Sequence, residues 1–138
     1  MNQSKEERIR FANIEIIEKG NFTVVDQVFV SNYVVHTRGK DFTGTEFVKS
    51  FIAQLRKAVE NLRVVDIEFL SENSDTIVWQ RTLGGTHVET MAGIPPSGKS
   101  VEWRDMMVSR FVGSRIAEEW ALSDLAGQMM INLPRLKP

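Results

Sequence analysis

With 138 residues, 42% of them hydrophobic and 25% charged, the chain is long enough to bury one core, and a single domain over residues 1–138 is predicted. Its 17 basic and 18 acidic residues give a net charge of −1, which provides no basic surface for nucleic acid or an anionic membrane. The absence of cysteine excludes disulfides and thiolate chemistry, and a charged N-terminus with no apolar run of ~20 residues predicts a cytoplasmic protein.

Two helices are predicted first. Ser4 and Glu7 have the spacing of a capping box, and the apolar residues that follow recur at helical intervals. Asn21 is a suitable N-cap for a second, short helix that carries Val25 and Val28. These patterns place helical structure before any long strand.

A short strand over residues 33–37 and a third helix come next. Thr43 and Glu46 repeat the capping-box spacing before this helix. Its apolar face is formed by Phe47, Phe51, Leu55 and Val59. Three helices therefore occupy the first half of the chain.

The second half changes to a period of two, which is typical of strands. Val65, Ile67 and Phe69 alternate with acidic residues, and the next strand contains a glycine pair at 84–85 that predicts a bulge or bend. The segment IPPSG at 94–98 predicts a turn, because consecutive prolines remove ladder donors. Strands over 101–111 and 116–122 and a helix over 125–133 complete the chain.

Helices followed by a run of antiparallel strands predict an α+β fold, in which helices pack on one face of a bent sheet. A strongly curved sheet covered by helices forms a cone. Such a cone is expected to leave a pocket.

Motifs from residue 81 to residue 127 resemble those of the SnoaL-like ester and polyketide cyclases. A Thr-His pair at 86–87 follows the two glycines, residues 93–99 read GIPPSGK, and residues 110–124 follow the order R, G, I-x-E-x-W, D. Two segments differ from the family pattern: Val59-Glu60-Asn61 replaces a frequent Phe-Pro-Asp, and Val88-Glu89 replaces Thr-Gly. These differences bear on the substrate and leave the fold prediction unchanged.

The resemblance implies a cone of the nuclear-transport-factor-2-like type, paired as a homodimer through the sheet. It also implies cofactor-independent and metal-free closure of a ring by an intramolecular aldol reaction, with an aspartate at the position of Asp124 as acid/base. The expected ligand is a small apolar carbonyl compound, with no nucleic acid or membrane as partner.

The alternation of side chains along the last strand also indicates Asp124 as a site residue. A strand through residues 116–124 places Glu118, Trp120, Leu122 and Asp124 on one face, so Asp124 enters the cone if Trp120 does. A carboxylate among apolar walls has its charged form disfavoured, and its pKa rises toward the range useful for proton transfer. The alternative is structural, because Asp124 precedes an apolar helix and Asp is a favoured N-cap.

Other candidate site residues are histidines and aromatic residues. His87 and His36, the two histidines, are candidates for orienting Asp124 or stabilising an enolate, and strand histidines without a catalytic role are the alternative. Two histidines cannot form a three-histidine metal site, and their spacing does not indicate metal binding. Candidate substrate-binding residues, with core packing as the alternative, are Trp120, Trp79, Trp103 and Tyr33.

Three functions are compatible with this sequence. The first is a SnoaL-like cyclase that uses aldol-type acid/base chemistry, and the second is a ketosteroid-isomerase-like proton shuttle on the same fold. The third is a non-catalytic domain that binds a small molecule or serves for dimerisation. Because one fold hosts many functions, only the residues of the site can distinguish these three.

Overall fold

A computed structural model describes residues 3–134 as four α-helices and one six-stranded sheet. The elements in chain order are α1 (Lys5–Ala12, continued by a π-helical segment, Asn13–Glu18), a 3-10 turn (Phe22–Val24), α2 (Val25–Val28), β1 (Phe29–Thr37), β2 (Lys40–Thr43), α3 (Thr45–Ala58), β3 (Val59–Glu72), β4 (Thr76–His87), β5 (Ser100–Val112), β6 (Arg115–Ser123) and α4 (Leu125–Ile131). The predicted α+β fold with a curved sheet of the nuclear-transport-factor-2-like type is confirmed. No helix within residues 3–134 is long and apolar enough to cross a membrane.

The capping signals of the first two helical segments are confirmed, and that of the third is wrong. Ser4 Oγ accepts a hydrogen bond from the backbone N–H of Glu7, whose carboxylate accepts one from the backbone N–H of Ser4. The side chain of Asn21 likewise caps the 3-10 turn. Thr43 instead belongs to β2, where it pairs with β1, and Gly44 takes the N-cap position of α3 with a φ of 94°. The capping-box spacing did not reveal the short edge strand β2, to which Thr43 belongs.

The strands are ordered β2-β1-β6-β5-β4-β3. The β1–β6 pair is parallel, and the other neighbouring pairs are antiparallel. The parallel pair brings the first long strand of the chain next to the last. Residues from the two ends of the sequence therefore share one wall of the sheet.

Irregular pairing between β3 and β4 bends this part of the sheet. The predicted irregularity at the glycine pair exists, but the one extra residue belongs to β3, between Glu60 and Arg63. Another shift, between Val64 and Asp66, interrupts the alternation predicted for β3. Val65 is consequently 44% exposed instead of facing the core.

One face of the sheet, here called the inner face, is covered by helices and forms the core. On β5 this face carries alternate residues from Val101 to Phe111, and their partners come from α1, α3 and α4. The opposite face of the sheet is called the outer face. The helices and the inner face do not fill the space between them completely, so a cavity remains inside the fold.

Candidate active site

A cavity of about 360 Å³ lies between the helices and the inner face. Most of its wall is apolar, with side chains from α1, the π-helical segment, α3 and α4. Its aromatic lining consists of Phe29, Tyr33, Phe47, Phe51, Trp79 and Trp103. A few polar groups interrupt this lining, which is the usual composition of a small-molecule site.

The first polar group in the cavity is a buried ion pair. Arg81 on β4 and Asp105 on β5 are direct cross-strand partners, and Arg81 Nε donates to Asp105 Oδ2 at 2.8 Å. Arg81 Nη1 also donates to the side chain of Asn13 at 3.0 Å. Asn13 lies at the start of the π-helical segment, a type of distortion that recurs at functional sites.

The other oxygen of Asp105 is the least satisfied acceptor in this wall. Asp105 is buried, and its Oδ1 has no hydrogen-bond partner among residues 3–134. A buried acceptor without a partner costs about 1–3 kcal/mol, so such groups are usually satisfied by a ligand or by water. Asp105 is among the residues that line the cavity, so this unsatisfied carboxylate lies in the cavity wall.

The second polar group is a buried carboxyl, Glu119, with two donors. Tyr33 Oη donates to Glu119 Oε1 at 2.7 Å, and Ser109 Oγ donates to Glu119 Oε2. Trp79 Nε1 in turn donates to Ser109 Oγ at 2.8 Å. These residues come from four strands, β1, β6, β5 and β4, so the network holds the inner face together.

Burial has the largest effect on the pKa of Glu119. Burial raises the pKa of Glu119 above its ordinary value, against the opposing effect of the hydrogen bonds from Ser109 and Tyr33. Burial, together with the nearby Glu119 carboxylate, also raises the pKa of Tyr33 well above 10. The cavity wall therefore combines a buried aspartate paired with an arginine and a glutamate whose charged form is disfavoured.

Three of the predicted site residues line the cavity: Tyr33, Trp79 and Trp103. All three are almost fully buried. The structure brings them together with Asp105, and it does so on the inner face of the sheet. Their role in binding a substrate remains a prediction.

Asp124, by contrast, does not line the cavity, so the prediction that its carboxylate enters the cone is wrong. Ala117 is an extra residue in β6, because Arg110 pairs with Glu118 while Phe111 pairs with Ile116. This bulge reverses the parity of the rest of the strand. β6 also ends one residue before Asp124, which is exposed, occupies the N-cap position of α4 and accepts a 2.7 Å hydrogen bond from the backbone N–H of Arg104.

The same change of parity places Trp120 on the outer face. Trp120 is 41% exposed and stacks on the ring of His36, at 5.2 Å between centroids. His36 is bound on both sides, with Nδ1 2.6 Å from Asp41 and Nε2 2.6 Å from Glu118. Neither Trp120 nor His36 lines the cavity, so neither contacts a molecule bound inside it.

His87 faces the interior but lies beyond the cavity lining. It is fully buried at the end of β4, and neither ring nitrogen has a hydrogen-bond partner in the described part of the chain, residues 3–134. Its backbone is paired with Lys99 and Gly98. The ring therefore does not reach Asp124 or the cavity carboxyls.

Sequence reasoning missed Asp105 and Glu119. The signal for Asp105 was available, since it shares the parity of the apolar residues Val101, Trp103 and Met107. A carboxylate in such an apolar series is a candidate for a buried functional group. For Glu119 no comparable signal exists, because its burial depends on the bulge at Ala117.

Among residues 3–134, no group of three or more histidine, aspartate or glutamate side chains is arranged to hold a metal ion. The polar groups of the cavity can instead accept a proton, donate hydrogen bonds and hold a carbonyl compound. The fold and this cavity define a curved-sheet pocket protein of the nuclear-transport-factor-2-like superfamily.

Comparison with known proteins identifies the family. The sequence profile of the SnoaL-like polyketide cyclases matches residues 7–130, and the chain belongs to this family. No curated protein matches the chain.

Solved structures with the same fold include three bacterial relatives. A candidate SnoaL-like polyketide cyclase from a Jannaschia species has a TM-score of 0.80 and 21% identity, over 98% of this chain and 99% of that chain. A candidate polyketide cyclase from Acidithiobacillus ferrooxidans has a TM-score of 0.79 and 24% identity, over 95% and 98%. A SnoaL-like polyketide cyclase from Agrobacterium tumefaciens has a TM-score of 0.76 and 16% identity, over 96% and 99%.

Proposed function

We propose that the protein is a cofactor-independent cyclase that performs aldol-type acid/base chemistry on a small carbonyl compound held in the cavity. The observation that carries this proposal is the unpartnered Oδ1 of Asp105, a buried carboxylate oxygen in an otherwise apolar wall. Membership in the SnoaL-like polyketide cyclases supports the reaction class.

Asp105 acts as the base in this proposal. Its Oδ1 removes a proton from the carbon next to a carbonyl, and the resulting enolate forms a carbon–carbon bond to a second carbonyl of the same molecule. The second carbonyl oxygen becomes an alkoxide and takes the proton back from Asp105. No proton is gained or lost overall, and no redox partner is needed.

Arg81 has two functions in this scheme. Its Nε donates to Asp105 Oδ2 at 2.8 Å, which holds the carboxylate in the cavity wall and leaves Oδ1 for the substrate. Two of its five N–H groups are engaged by Asp105 and Asn13, and the remaining ones are donors for the developing oxyanion. The apolar walls exclude water and hold the two reacting ends together, which is a large source of acceleration in intramolecular reactions.

The base can be tested without the natural substrate by following exchange of α-protons of 2-tetralone, a bicyclic apolar ketone, in D2O. We expect wild-type protein to accelerate the exchange and Asp105→Asn to lower the rate by at least about 100-fold, the usual size of a general-base effect. Asp66→Asn, which makes the same charge change on an exposed position of β3, is the control. Equal exchange by wild type and Asp105→Asn would reject Asp105 as the base.

A non-catalytic binding domain is the alternative function. It predicts that 2-tetralone binds in the cavity with no exchange above the buffer rate. A ketosteroid-isomerase-like isomerase would use the same base, and the two enzymes differ in product: a new ring in one case, a shifted double bond in the other. Product analysis by NMR with diketone and unsaturated ketone substrates separates them.

We further propose that two copies pair through the outer face, the arrangement that the family resemblance implies. Met106, Trp120 and Leu122 are exposed at 38%, 41% and 75%, and Met106 is the direct cross-strand partner of Leu122. Adjacent exposed apolar residues of this size are typical of an interaction surface.

The dimer is tested by sedimentation at several concentrations. We expect Met106→Glu to shift the protein to a monomer. Val65→Glu, on the distant edge strand β3 and similarly exposed, should leave the dimer intact. A wild-type monomer at all concentrations would reject the pairing.

A further inference from the structure

An unusual turn places an arginine at the opening of the cavity. Thr37 pairs with Lys40, so Arg38 and Gly39 form the two-residue connection between β1 and β2. Both have positive φ angles, 54° and 72°, as in a type I′ turn. Arg38 lines the cavity and is also exposed to solvent, which places it at the rim.

Arginine is an unfavourable residue for this turn. The first position of a type I′ turn prefers Asn, Asp or Gly, because a residue with a long side chain is strained at positive φ. The two-residue connection fixes the backbone of Arg38 beside the cavity. An asparagine at this position would fit the turn better but would lack the charge.

The charge of Arg38 is not compensated within the described residues. The cavity is lined by two cations, Arg38 and Arg81, and by two carboxyls, Asp105 and Glu119. Arg81 is paired with Asp105, whereas Arg38 makes no ion pair or side-chain hydrogen bond with any of residues 3–134. Because burial raises the pKa of Glu119, the deep part of the cavity tends toward neutrality and the rim is cationic.

A row of aromatic rings leads from this cation into the cavity. The guanidinium carbon of Arg38 lies 5.7 Å from the ring centroid of Phe42. Phe42 stacks on Phe47 at 4.2 Å, and Phe47 on Phe51 at 5.9 Å. Phe47 and Phe51 line the cavity, so one wall is flat, apolar and aromatic. Such a wall favours a planar ring system as ligand.

We propose that Arg38 binds a carboxylate group of the ligand at the rim of the cavity, while the carbonyl end of the same molecule reaches Asp105. This substrate class rests on the proposed function. A guanidinium binds a carboxylate through two parallel hydrogen bonds, which gives orientation as well as attraction. Arg38 is an uncompensated cation at the rim, whereas Asp105 inside the cavity is paired with Arg81, so the carboxylate end of the ligand is favoured at the rim.

The probes are 2-naphthoate and 2-naphthamide, which have the same shape and differ in charge. Binding is measured by quenching of the fluorescence of Trp79 and Trp103 in the cavity wall, at low salt. We expect naphthoate to bind about fivefold more tightly than naphthamide to wild-type protein, which is the upper limit for an exposed ion pair. In Arg38→Asn the two dissociation constants should become equal.

Lys40→Asn is the matched control. It removes one positive charge from the same hairpin, at an exposed residue that does not line the cavity, and should keep the preference for naphthoate. Because asparagine favours the turn, Arg38→Asn should remain folded, and its melting temperature checks this. A preference unchanged in Arg38→Asn, equal binding of both probes to wild type, or no binding of either probe would overturn the proposal.

These binding results are separable from the test of the base. Exchange of 2-tetralone protons by the wild-type protein depends on Asp105 and involves no carboxylate, so it reports on the base alone. Both proposals are supported if Arg38→Asn loses the preference for naphthoate and the wild-type protein exchanges the protons of 2-tetralone. Intact exchange without any charge preference rejects the substrate class alone, and a charge preference without exchange rejects the catalytic function alone.

Discussion

The hydroxyl of Tyr33 on β1 donates a 2.7 Å hydrogen bond to the carboxyl of Glu119 on β6, and both side chains are buried in the cavity wall. Their strands form the parallel pair of the sheet, in which Val35 is the direct partner of Glu119. The contact therefore connects the first long strand with the last. It also places a titratable carboxyl where water cannot solvate its charge.

This burial makes a prediction for Glu119→Gln. Because the pKa of Glu119 is raised in the folded state, the carboxyl favours folding fully below its unfolded pKa of about 4.3, and this contribution is lost as pH rises through the folded pKa. Glutamine has no charge to bury. We therefore expect Glu119→Gln to be more stable than wild type at pH 7.

Urea unfolding of both proteins between pH 4 and pH 8 measures this effect. The advantage of the variant should grow with pH. Tyr33→Phe, which removes a hydrogen bond to the ionised carboxylate, should lose stability in the same range. A constant difference between wild type and Glu119→Gln across the range would show that Glu119 titrates normally.

The fold was predictable from the sequence because its signals are periodic and redundant. Several apolar positions mark each helix, and the apolar residues Val101, Trp103, Met107 and Phe111 mark the inner face of β5. The site was less predictable, because it depends on single residues. One extra residue in β6, Ala117, exchanges the faces of Glu119 and Trp120, and no sequence pattern marks this bulge. Asp105 was predictable from parity, but its pairing with Arg81 required the register between β4 and β5.

His36 gives a prediction for the outer face. The hydrogen bonds to Glu118 and Asp41 raise the pKa of His36, and the hydrogen bond from His36 lowers the pKa of Glu118. The raised His36 pKa contributes stability that is fully present below the unfolded histidine pKa of about 6.5 and is lost as pH rises through the folded pKa. The lowered Glu118 pKa contributes stability that is present above its unfolded pKa of about 4.3 and is lost as pH falls through the folded pKa. NMR titration of His36 should give a pKa above 6.5, lowered in Glu118→Gln.

Asp26→Asn is a suitable control for the titration, since Asp26 is an exposed acid in α2 and does not contact His36. It should leave the His36 titration unchanged. A His36 pKa at or below the ordinary value in wild type would mean that the two short contacts are not ion pairs in solution.

His87 gives a prediction about stability. Its ring is fully buried, and neither nitrogen has a partner within residues 3–134. Unsatisfied polar atoms cost about 1–3 kcal/mol, so His87→Leu should be as stable as wild type or more stable. His87→Ala should lose about 2–4 kcal/mol, because it leaves a cavity. Thermal unfolding compares the three proteins, and a loss in His87→Leu as large as in His87→Ala would show that the imidazole makes an essential polar contact.

Gly85 gives a prediction about packing between β3 and β4. A Cβ atom at this position would lie 2.5 Å from Val59 Cγ1 and 2.7 Å from the backbone oxygen of Glu60. Because a backbone atom cannot move aside easily, Gly85→Ala should lose about 1–3 kcal/mol. Gly127→Ala is the control: its Cβ meets no atom within 4 Å, and in helix α4 it should gain about 0.5–1 kcal/mol. Denaturant unfolding that shows no loss in Gly85→Ala would contradict the close approach of the two strands.

Asp124 gives the prediction that separates the two candidate bases. Its Oδ1 accepts the 2.7 Å hydrogen bond from the backbone N–H of Arg104, and its carboxylate is exposed at the start of α4. We expect Asp124→Ala to lose about 0.5–1.5 kcal/mol, the usual contribution of one hydrogen bond, and Asp124→Asn to lose less, because the amide oxygen can still accept. Unfolding measurements test both values.

The activity of the same variants is decisive. If Asp105 is the base, Asp124→Asn should exchange the α-protons of 2-tetralone within about threefold of the wild-type rate, while Asp105→Asn loses at least about 100-fold. The two substitutions make the same chemical change, one in the cavity wall and one outside it, so the comparison depends on position alone. A folded Asp124→Asn that has lost exchange, beside an active Asp105→Asn, would return the role of base to Asp124. It would also require α4 to move so that this carboxylate enters the cavity when a ligand binds.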